Sequence, residues 1–181
     1  RKPVPPLKRP PVDLRGLLAE LLKGDSQALV VTGPSGSGKT WVAGQAVREL
    51  RGQGLLVGGI LSPRILQGEA TVGYRVRDLM SGGEEVLCRL SPPGIAFRRF
   101  YFSPQGLELG NRALAAAARS AKLAVVDEVG PFELAGGGFS PGLRRLQKAG
   151  LPLIITVRPH LVSQVLSFLG LPPATPRLTL P

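Results

Sequence analysis

One segment of the sequence combines glycines, a lysine and a threonine at a spacing that suits the binding of phosphate groups. Gly33, Gly38, Lys39 and Thr40 complete the Walker A pattern Gly-x-x-x-x-Gly-Lys-Ser/Thr. Glycines let successive backbone N–H groups turn inward, and a helix that begins near Lys39 adds its free N–H groups and positive dipole end. We expect Lys39 to reach the β- and γ-phosphates of a nucleoside triphosphate, ATP or GTP, and the Thr40 hydroxyl to ligate Mg²⁺.

The predicted nucleotide-binding segment covers this whole loop and the start of the following helix. Its residues are Gly33, Pro34, Ser35, Gly36, Ser37, Gly38, Lys39, Thr40 and Trp41. A predicted buried strand at 28–32 precedes the loop and a predicted helix at 39–51 follows it, which is the setting that a phosphate loop requires. A glycine-rich turn that binds nothing is the alternative, but such a turn does not need a Lys-Thr pair at this spacing.

A second motif with chemistry is the acidic pair Asp127 and Glu128, which follows the four apolar residues 123–126. This pattern is typical of a Walker B strand, whose carboxyl end faces the ligand crevice of a parallel sheet. Asp127 is expected to hold Mg²⁺ through a water molecule, and Glu128 to orient the water that attacks the γ-phosphate. Lys39, Asp127 and Glu128 are therefore the predicted catalytic residues, and Thr40 and Asp127 the predicted metal ligands. An acidic pair that caps a helix is the alternative.

Polar residues at the end of the predicted strand 151–157 are further candidates. Arg158 would lie at the same edge of the sheet as Asp127, where it acts as an arginine finger or is an ordinary surface residue. Thr156 is either a polar sensor of this site or a buried strand residue. His160 is expected in a loop or at a helix start rather than as a catalytic base.

Two arginines and a glutamate have roles that the sequence leaves open. Arg98 and Arg99 would clamp phosphate if the segment 94–102 folds over the loop, and they form a solvated face otherwise. Glu133 helps to hold Mg²⁺, orders the loop that follows Asp127, or is an ordinary acid at a helix start.

The elements that position these residues alternate between strands and helices, which predicts an α/β fold with a mainly parallel sheet and helices on both faces. Hydrophobic periodicity also predicts antiparallel strands inserted in the middle of the chain. The predicted strands are 28–32, 55–61, 72–76, 86–90, 100–102, 122–127, 151–157 and 177–180. The predicted helices are 39–51, 104–119, 139–148, 161–169 and a leucine-rich helix that Asp13 caps, with Leu14, Leu17, Leu18, Leu21 and Leu22 on one face.

Composition limits the class of protein and its compartment. We expect a Pro-rich, basic arm or linker at 1–12 and a single domain at 13–181. The sequence contains no apolar run long enough to span a membrane and no apolar core of a secretory signal. Cys88 is the one cysteine, so the chain forms no intrachain disulfide and no cysteine-based metal cluster, which fits a cytoplasmic protein. The single histidine, His160, also excludes most zinc sites.

The formal net charge of +11 allows a nucleic-acid partner. Beyond the first nine residues, however, the basic residues are scattered, and few aromatic residues are available to stack on bases. A compositional origin of the charge is therefore favoured over nucleic-acid binding, and the oligomeric state is not determined by the sequence.

Beyond these motifs, the sequence resembles the nucleoside-triphosphatase family of P-loop proteins that includes the cancer-related nucleoside-triphosphatase. The stretch 127–134, Asp-Glu-Val-Gly-Pro-Phe-Glu-Leu, resembles the family's D-E-[IV]-G-x-[ML]-E signature. The stretch 59–62 resembles its G-F-x-T strand end, and residues 67–68 with 72–74 resemble its hairpin. The resemblance covers roughly residues 27–170, with the motifs in the family's order.

The resemblance implies a RecA-like α/β fold with an inserted antiparallel hairpin. It also implies Mg²⁺-dependent hydrolysis of ATP, GTP and other nucleoside triphosphates. The family's functional residues carry over onto Gly33, Gly36, Gly38, Lys39, Thr40, Asp127, Glu128 and Glu133. The chain departs from the family at Pro131, where many members have lysine, and at Leu66, which aligns with an expected arginine although Arg64 lies nearby.

Two other functions stay open at this point. A P-loop kinase would transfer the phosphoryl group to a nucleotide or small metabolite, with an acceptor pocket formed by residues 62–102. A nucleotide-dependent switch would bind nucleic acid through the basic charge.

Overall fold

The computed structural model describes residues 13–181, so the predicted basic arm at 1–12 lies outside the described residues. Ten strands form one sheet in this part of the chain. The strands are β1 Ala28–Thr32, β2 Val57–Leu61, β3 Arg64–Gln67, β4 Ala70–Asp78, β5 Glu84–Arg89, β6 Ile95–Phe97, β7 Phe100–Phe102, β8 Leu123–Val126, β9 Leu153–Val157 and β10 Arg177–Thr179. The helices are α1 Leu14–Lys23, α2 Lys39–Gly52, α3 Pro104–Ser120, α4 Pro131–Leu134, α5 Ser140–Ala149 and α6 Val162–Phe168, with a 3-10 turn at Pro159–Leu161.

The strands β10-β1-β9-β8-β2 are parallel and form the half of the sheet that carries the sequence motifs. The strand β9 lies between β1, which leads into the phosphate loop, and β8, which leads into Asp127. Since the strands are parallel, their carboxyl ends meet at one edge of the sheet. The predicted α/β fold is confirmed.

Alternating side chains along these strands supply two separate cores. One core packs strand residues such as Val30, Val126 and Ile155 against α3, α5 and α6. The other packs Val31 and Ile154 against α1 and α2. Because both faces of β1, β8 and β9 are covered, every residue of these strands is buried, which explains their continuous apolar sequences.

The antiparallel insertion is larger than the predicted hairpin. The strands β4, β5, β7 and β6 continue the sheet beyond β2, and β3 pairs with the other end of β4. The predicted strands 72–76, 86–90 and 100–102 are confirmed as parts of β4, β5 and β7. The strands β3 and β6 were not predicted, because most of their residues are exposed and their short sequences show no hydrophobic alternation.

The leucine-rich helix differs from its prediction in two details. Asp13 precedes α1, but within residues 13–181 its side chain accepts no capping hydrogen bond. Leu14, Leu18 and Leu21 are buried as predicted, whereas Leu22 is exposed because the helix turns it away from the sheet. No helix among residues 13–181 has the length and apolar character needed to cross a membrane.

Candidate nucleotide-binding site

The predicted phosphate loop connects β1 to α2 and has the backbone that its glycines allow. Gly36 and Gly38 adopt φ angles of +77° and +97°, in the region that favours glycine. At Gly33 a Cβ atom would lie 2.5 Å from Ser37 Oγ, so a larger residue would not fit. Since Gly38 precedes α2 and has no side chain, the first N–H groups of this helix receive no side-chain cap and face the loop.

Lys39 is buried within the loop that it follows. Its ammonium Nζ donates to the carbonyl oxygens of Gly33 at 2.7 Å and Pro34 at 3.0 Å. Burial lowers the pKa of Lys39, and the Glu128 carboxylate opposes this effect. The ammonium therefore lies over the loop backbone, where the phosphates of a nucleotide are expected.

Two buried hydroxyl groups beside the loop are further polar atoms available to a ligand. Thr32 Oγ1, at the end of β1, and Ser37 Oγ, within the loop, form no hydrogen bond with any part of residues 13–181. A buried polar atom without a partner is costly, so a polar ligand that pairs with these hydroxyls would be stabilising.

Asp127 joins the motifs of the site. Its carboxylate accepts hydrogen bonds from Thr40 Oγ1 at 2.8 Å, the Ser62 backbone N–H at 2.9 Å and Thr156 Oγ1 at 2.7 Å. Burial raises the pKa of Asp127, while the three hydrogen bonds oppose that effect. The structure thus brings together Thr40 and Asp127, the two residues predicted to bind Mg²⁺.

The donor chemistry of this pair fits a magnesium ion. A hydroxyl oxygen and a carboxylate oxygen 2.8 Å apart are hard ligands, and Mg²⁺ commonly takes only one or two protein ligands beside phosphate oxygens and water. Within residues 13–181, no group of three or more His, Cys, Asp and Glu side chains is placed to hold a metal ion. Thr40 and Asp127 would therefore hold Mg²⁺ together with the nucleotide.

Glu128 occupies a strained backbone position directly after Asp127. Its φ angle of +66° is unusual for a residue with a side chain. Its backbone N–H donates to Thr156 Oγ1 at 2.6 Å, and its Oε1 accepts from Arg158 Nε at 3.2 Å. Thr156 therefore contacts both acidic residues, and Arg158 lies at the site instead of forming a separate surface residue.

Arg64 was missed as a site residue by the sequence analysis. A Cβ atom at Gly36 would lie 3.6 Å from Arg64 Nη1, so this guanidinium lies over the phosphate loop. Leu66, the position aligned with the family's arginine, is 52% exposed. The sequence carried one signal for Arg64, because it lies two residues before the position aligned with the family's expected arginine. The strand β3 pairs with β4, and Arg64 at its start lies over the loop.

Ser62 was also missed, although it lies directly after β2 at the same sheet edge. Its backbone N–H donates to the Asp127 carboxylate and its hydroxyl donates to the Asp127 carbonyl oxygen at 3.4 Å. Because every residue except proline has a backbone N–H, the residue type carried no signal of this role.

Glu133 orders the loop after Asp127. Its oxygens accept hydrogen bonds from the backbone N–H groups of Gly130 at 3.0 Å and Phe139 at 3.1 Å. Both carboxylate oxygens are thus paired with backbone donors, which favours the predicted role in ordering the loop.

The remaining candidates lie around this centre. His160 is exposed in the 3-10 turn, as expected for a loop residue. Trp41 is half-buried in the first turn of α2 and packs against the core on the α1 side. Arg98 and Arg99 are exposed at the connection between β6 and β7 and line a cavity that also includes Glu128.

Known proteins share both the sequence and the fold. Residues 28–170 match the sequence profile of the NTPase family. The chain is 33% identical over 129 residues to the nucleoside-triphosphatase THEP1 of Methanopyrus kandleri, covering 71% of this chain and 72% of that protein. It is 30% identical over 134 residues to the nucleoside-triphosphatase THEP1 of Thermococcus kodakarensis, covering 71% of this chain and 74% of that protein.

Two solved structures show the same fold. The crystal structure of THEP1 from the hyperthermophile Aquifex aeolicus has a TM-score of 0.68 and 20% identity, covering 84% of this chain and 89% of that one. The solution structure of a human cancer-related nucleoside triphosphatase has a TM-score of 0.55 and 23% identity, covering 72% of this chain and 75% of that one. Since the family profile spans most of the sequence and includes the phosphate loop and the acidic pair, the chain belongs to the nucleoside-triphosphatase family.

Proposed function

We propose that this chain hydrolyses ATP, GTP and other nucleoside triphosphates to the diphosphate and inorganic phosphate, with Mg²⁺ as cofactor. The observation that carries the proposal is the 2.8 Å hydrogen bond between Thr40 and Asp127, which joins the phosphate loop to the acidic strand end. The activity named for the relatives supports the same reaction. Magnesium, when bound, neutralises charge on the β- and γ-phosphate oxygens.

The side chains of the site divide the work between binding and chemistry. Residues 33–41 bind the triphosphate, with the Lys39 ammonium at the β- and γ-phosphates and Arg64 as a second cation over the loop. Glu128 orients the attacking water through its carboxylate. Thr156 holds the backbone of Glu128, and Arg158 holds its carboxylate.

Base selectivity and compartment are part of the same proposal. We infer a loose base preference from the family resemblance, because the residues that contact the phosphates carry no information about the base. A cytoplasmic location agrees with Cys88 being an unpaired, buried thiol. The roles of the individual site residues and the single domain at 13–181 stay predictions.

Phosphate release from ATP, GTP and CTP in the presence of Mg²⁺ tests the proposal. We expect Lys39→Ala to reduce release by at least about 100-fold, because the variant loses the cation at the transferred phosphate. Lys148→Ala, which removes an exposed lysine from α5, is the matched control and should keep wild-type activity. Equal phosphate release by the Lys39 variant and the control would refute the proposal.

A further inference from the structure

A cavity of about 390 Å³ lies beside Glu128, between the antiparallel insertion and the loop after β8. Six of the nine aromatic residues of the chain, which has one Trp, two Tyr and six Phe, line this cavity. They are Tyr74, Phe97, Phe100, Phe102, Phe132 and Phe139. All except Phe139 are only half-buried, so these residues keep accessible surface.

The rings contact one another in a fixed arrangement. Phe97 stacks on Phe132 with centroids 4.6 Å apart and planes at 12°, and Phe102 meets Phe132 edge to face at 4.6 Å. Tyr74 and Phe100 form another edge-to-face pair at 5.7 Å. Mutual packing limits the rotation of these rings, which gives the cavity a preformed wall suited to a planar apolar molecule.

Three arginines and two glutamates are the charged residues that line the cavity. At the exposed end lie Arg98 and Arg99, whose guanidinium carbons are 5.9 Å from the Phe97 centroid and 4.6 Å from the Phe100 centroid. Neither arginine forms an ion pair with an acid within residues 13–181. At the inner end lie the carboxylates of Glu128 and Glu133, and Arg158 pairs there with Glu128 at 3.2 Å. An anionic group would therefore be attracted to Arg98 and Arg99, whose charges are not balanced by a carboxylate of the described residues.

The backbone of Arg98 supports a function for this hairpin tip. Phe97 pairs with Phe100, so Arg98 and Arg99 form a two-residue connection between β6 and β7. The φ angle of Arg98 is +53°, in the region where such connections normally carry glycine or asparagine. An arginine held in this conformation indicates a use for its side chain that outweighs the backbone strain.

Hydrolysis alone does not require a cavity of this size. A water molecule occupies roughly 30 Å³, whereas binding sites for small organic molecules occupy roughly 300–1,000 Å³. We propose that the cavity binds a small planar aromatic anion, with its ring against the phenylalanines and its anionic group on Arg98 and Arg99. Its inner edge would then lie next to Glu128 and restrict the attacking water; this second effect rests on the proposed role of Glu128.

Binding is tested with the fluorescent probe 8-anilinonaphthalene-1-sulfonate, an aromatic anion that contains a planar naphthalene ring. The protein is the full-length Lys39→Ala variant, whose phosphate loop is impaired. We expect saturable binding at one site per chain. The double variant with Arg98→Ala and Arg99→Ala should bind the probe about tenfold more weakly or worse, because the charge-assisted contacts between the sulfonate and the two guanidinium groups are lost. The control pair Arg144→Ala with Arg145→Ala removes the same charge from the exposed face of α5 and should bind normally.

Arg98→Gly provides a second variant that guards against misfolding. Glycine fits the positive φ angle, so this protein should unfold at the same or a higher temperature than its parent while binding the probe more weakly. Equal probe affinity in the Arg98/Arg99 and Arg144/Arg145 variants, or binding that does not saturate, would overturn the proposal.

Displacement of the probe separates two sources of an aromatic anion. AMP and UMP represent nucleotides, 1-naphthoate represents other aromatic acids, and hexanoate is a non-planar anionic control. Displacement by AMP and UMP alone would assign a nucleotide, and displacement by 1-naphthoate alone would assign an aromatic acid. The proposed ligand class would be overturned if hexanoate displaced the probe as effectively as the planar anions. It would also be overturned if none of these anions displaced the probe.

The effect on catalysis is measured separately on the wild-type protein. Saturating 1-naphthoate should lower the rate of phosphate release without changing the affinity for Mg²⁺-ATP measured by calorimetry. An unchanged rate at saturation would overturn the link to Glu128. A wild-type protein that binds the probe but releases no phosphate would instead refute the proposed hydrolysis and leave the cavity assignment standing.

Discussion

The hydroxyl of Thr156 links the two acidic residues of the site. It donates to Asp127 Oδ1 at 2.7 Å and accepts from the Glu128 N–H at 2.6 Å. Both hydroxyl functions, donor and acceptor, are therefore used at the carboxyl end of β9. We expect Thr156 to act as a positioning residue, because its hydroxyl contacts both the backbone N–H of Glu128 and the carboxylate of Asp127.

Thr156→Val tests this positioning role, since valine has a similar shape but no hydroxyl. We expect phosphate release to fall by about 10–100-fold, as for other residues that orient metal ligands. The free energy of unfolding should fall by about 1–3 kcal/mol, because buried polar groups lose their partner. Thr156→Ser keeps the hydroxyl and should recover most of the activity. Equal rates for the valine and serine variants would contradict this role.

The carboxyl group of Glu133 gives the protein a stability that depends on pH. Burial raises the pKa of Glu133 to about 7 from its ordinary value of 4.5, although hydrogen bonds from Phe139 and Gly130 oppose the shift. Between these two values the folded protein binds more protons than the unfolded chain. The contribution of Glu133 is thus fully present below pH 4.5 and is lost as the pH rises through about 7.

Glu133→Gln should remove this dependence, because glutamine does not titrate. Urea unfolding of the wild type between pH 4.5 and pH 7 should show a steeper loss of stability with rising pH than unfolding of the variant. Glu108→Gln, at an exposed position on α3, is the control and should keep the wild-type slope. The same slope in the Glu133 variant and the wild type would show that this carboxyl does not titrate between the two values.

At the scale of single residues, the sequence predicted those residues whose expected roles depend on the chemistry of their side chains. Lys39, Thr40 and Asp127 were found because their types and spacing form known patterns, and the structure brings Thr40 and Asp127 into contact. Ser62 was not found, because it acts through its backbone N–H. Arg64 was not found because its position over the loop depends on the pairing of β3 with β4.

At the scale of elements, the helices pack closely where glycine replaces larger residues. In α3, a Cβ atom at Gly110 would lie 2.1 Å from Cε1 of Phe139, the residue that precedes α5 and lines the cavity. In α2, a Cβ atom at Gly44 would meet nothing within 4 Å. Both glycines thus lie within helices, but Gly110 is in close contact with a neighbouring side chain, whereas the space beside Gly44 is open.

Alanine at these two positions should change stability in opposite directions. Gly110→Ala should lower the free energy of unfolding by about 1–3 kcal/mol, because Phe139 must move to admit the new methyl group. Gly44→Ala should raise it by about 0.5–1 kcal/mol, because alanine favours the helix and meets no obstacle. Thermal and urea unfolding measure both effects. A similar stability of the two variants would contradict the packing at Gly110.

The predictability of an element depended on how deeply it is buried. The strands β1, β8 and β9 are buried on both faces, so their continuous apolar runs identified them. The strands β3 and β6 are largely exposed and are stabilised by pairing with β4 and β7, which a local pattern does not encode. For this reason three antiparallel strands were predicted where the structure has five.

At the scale of the whole molecule, one sheet connects two regions of different chemistry. Its parallel half presents the phosphate loop and the acidic residues, and its antiparallel half supplies most of the aromatic wall of the cavity. Glu128 lies where the two regions meet. The order of motifs along the chain predicted the parallel half, whereas the gathering of aromatic residues became visible only after β4 to β7 were assembled.

The contacts of the Lys39 ammonium also have a consequence for nucleotide binding. Nζ donates to the carbonyl oxygens of Gly33 and Pro34, which uses two of the three N–H donors of an ammonium group. The third donor is therefore available to a phosphate oxygen while the loop itself holds the lysine in place. Because the loop already orients this cation, we expect an arriving triphosphate to meet a preorganised donor.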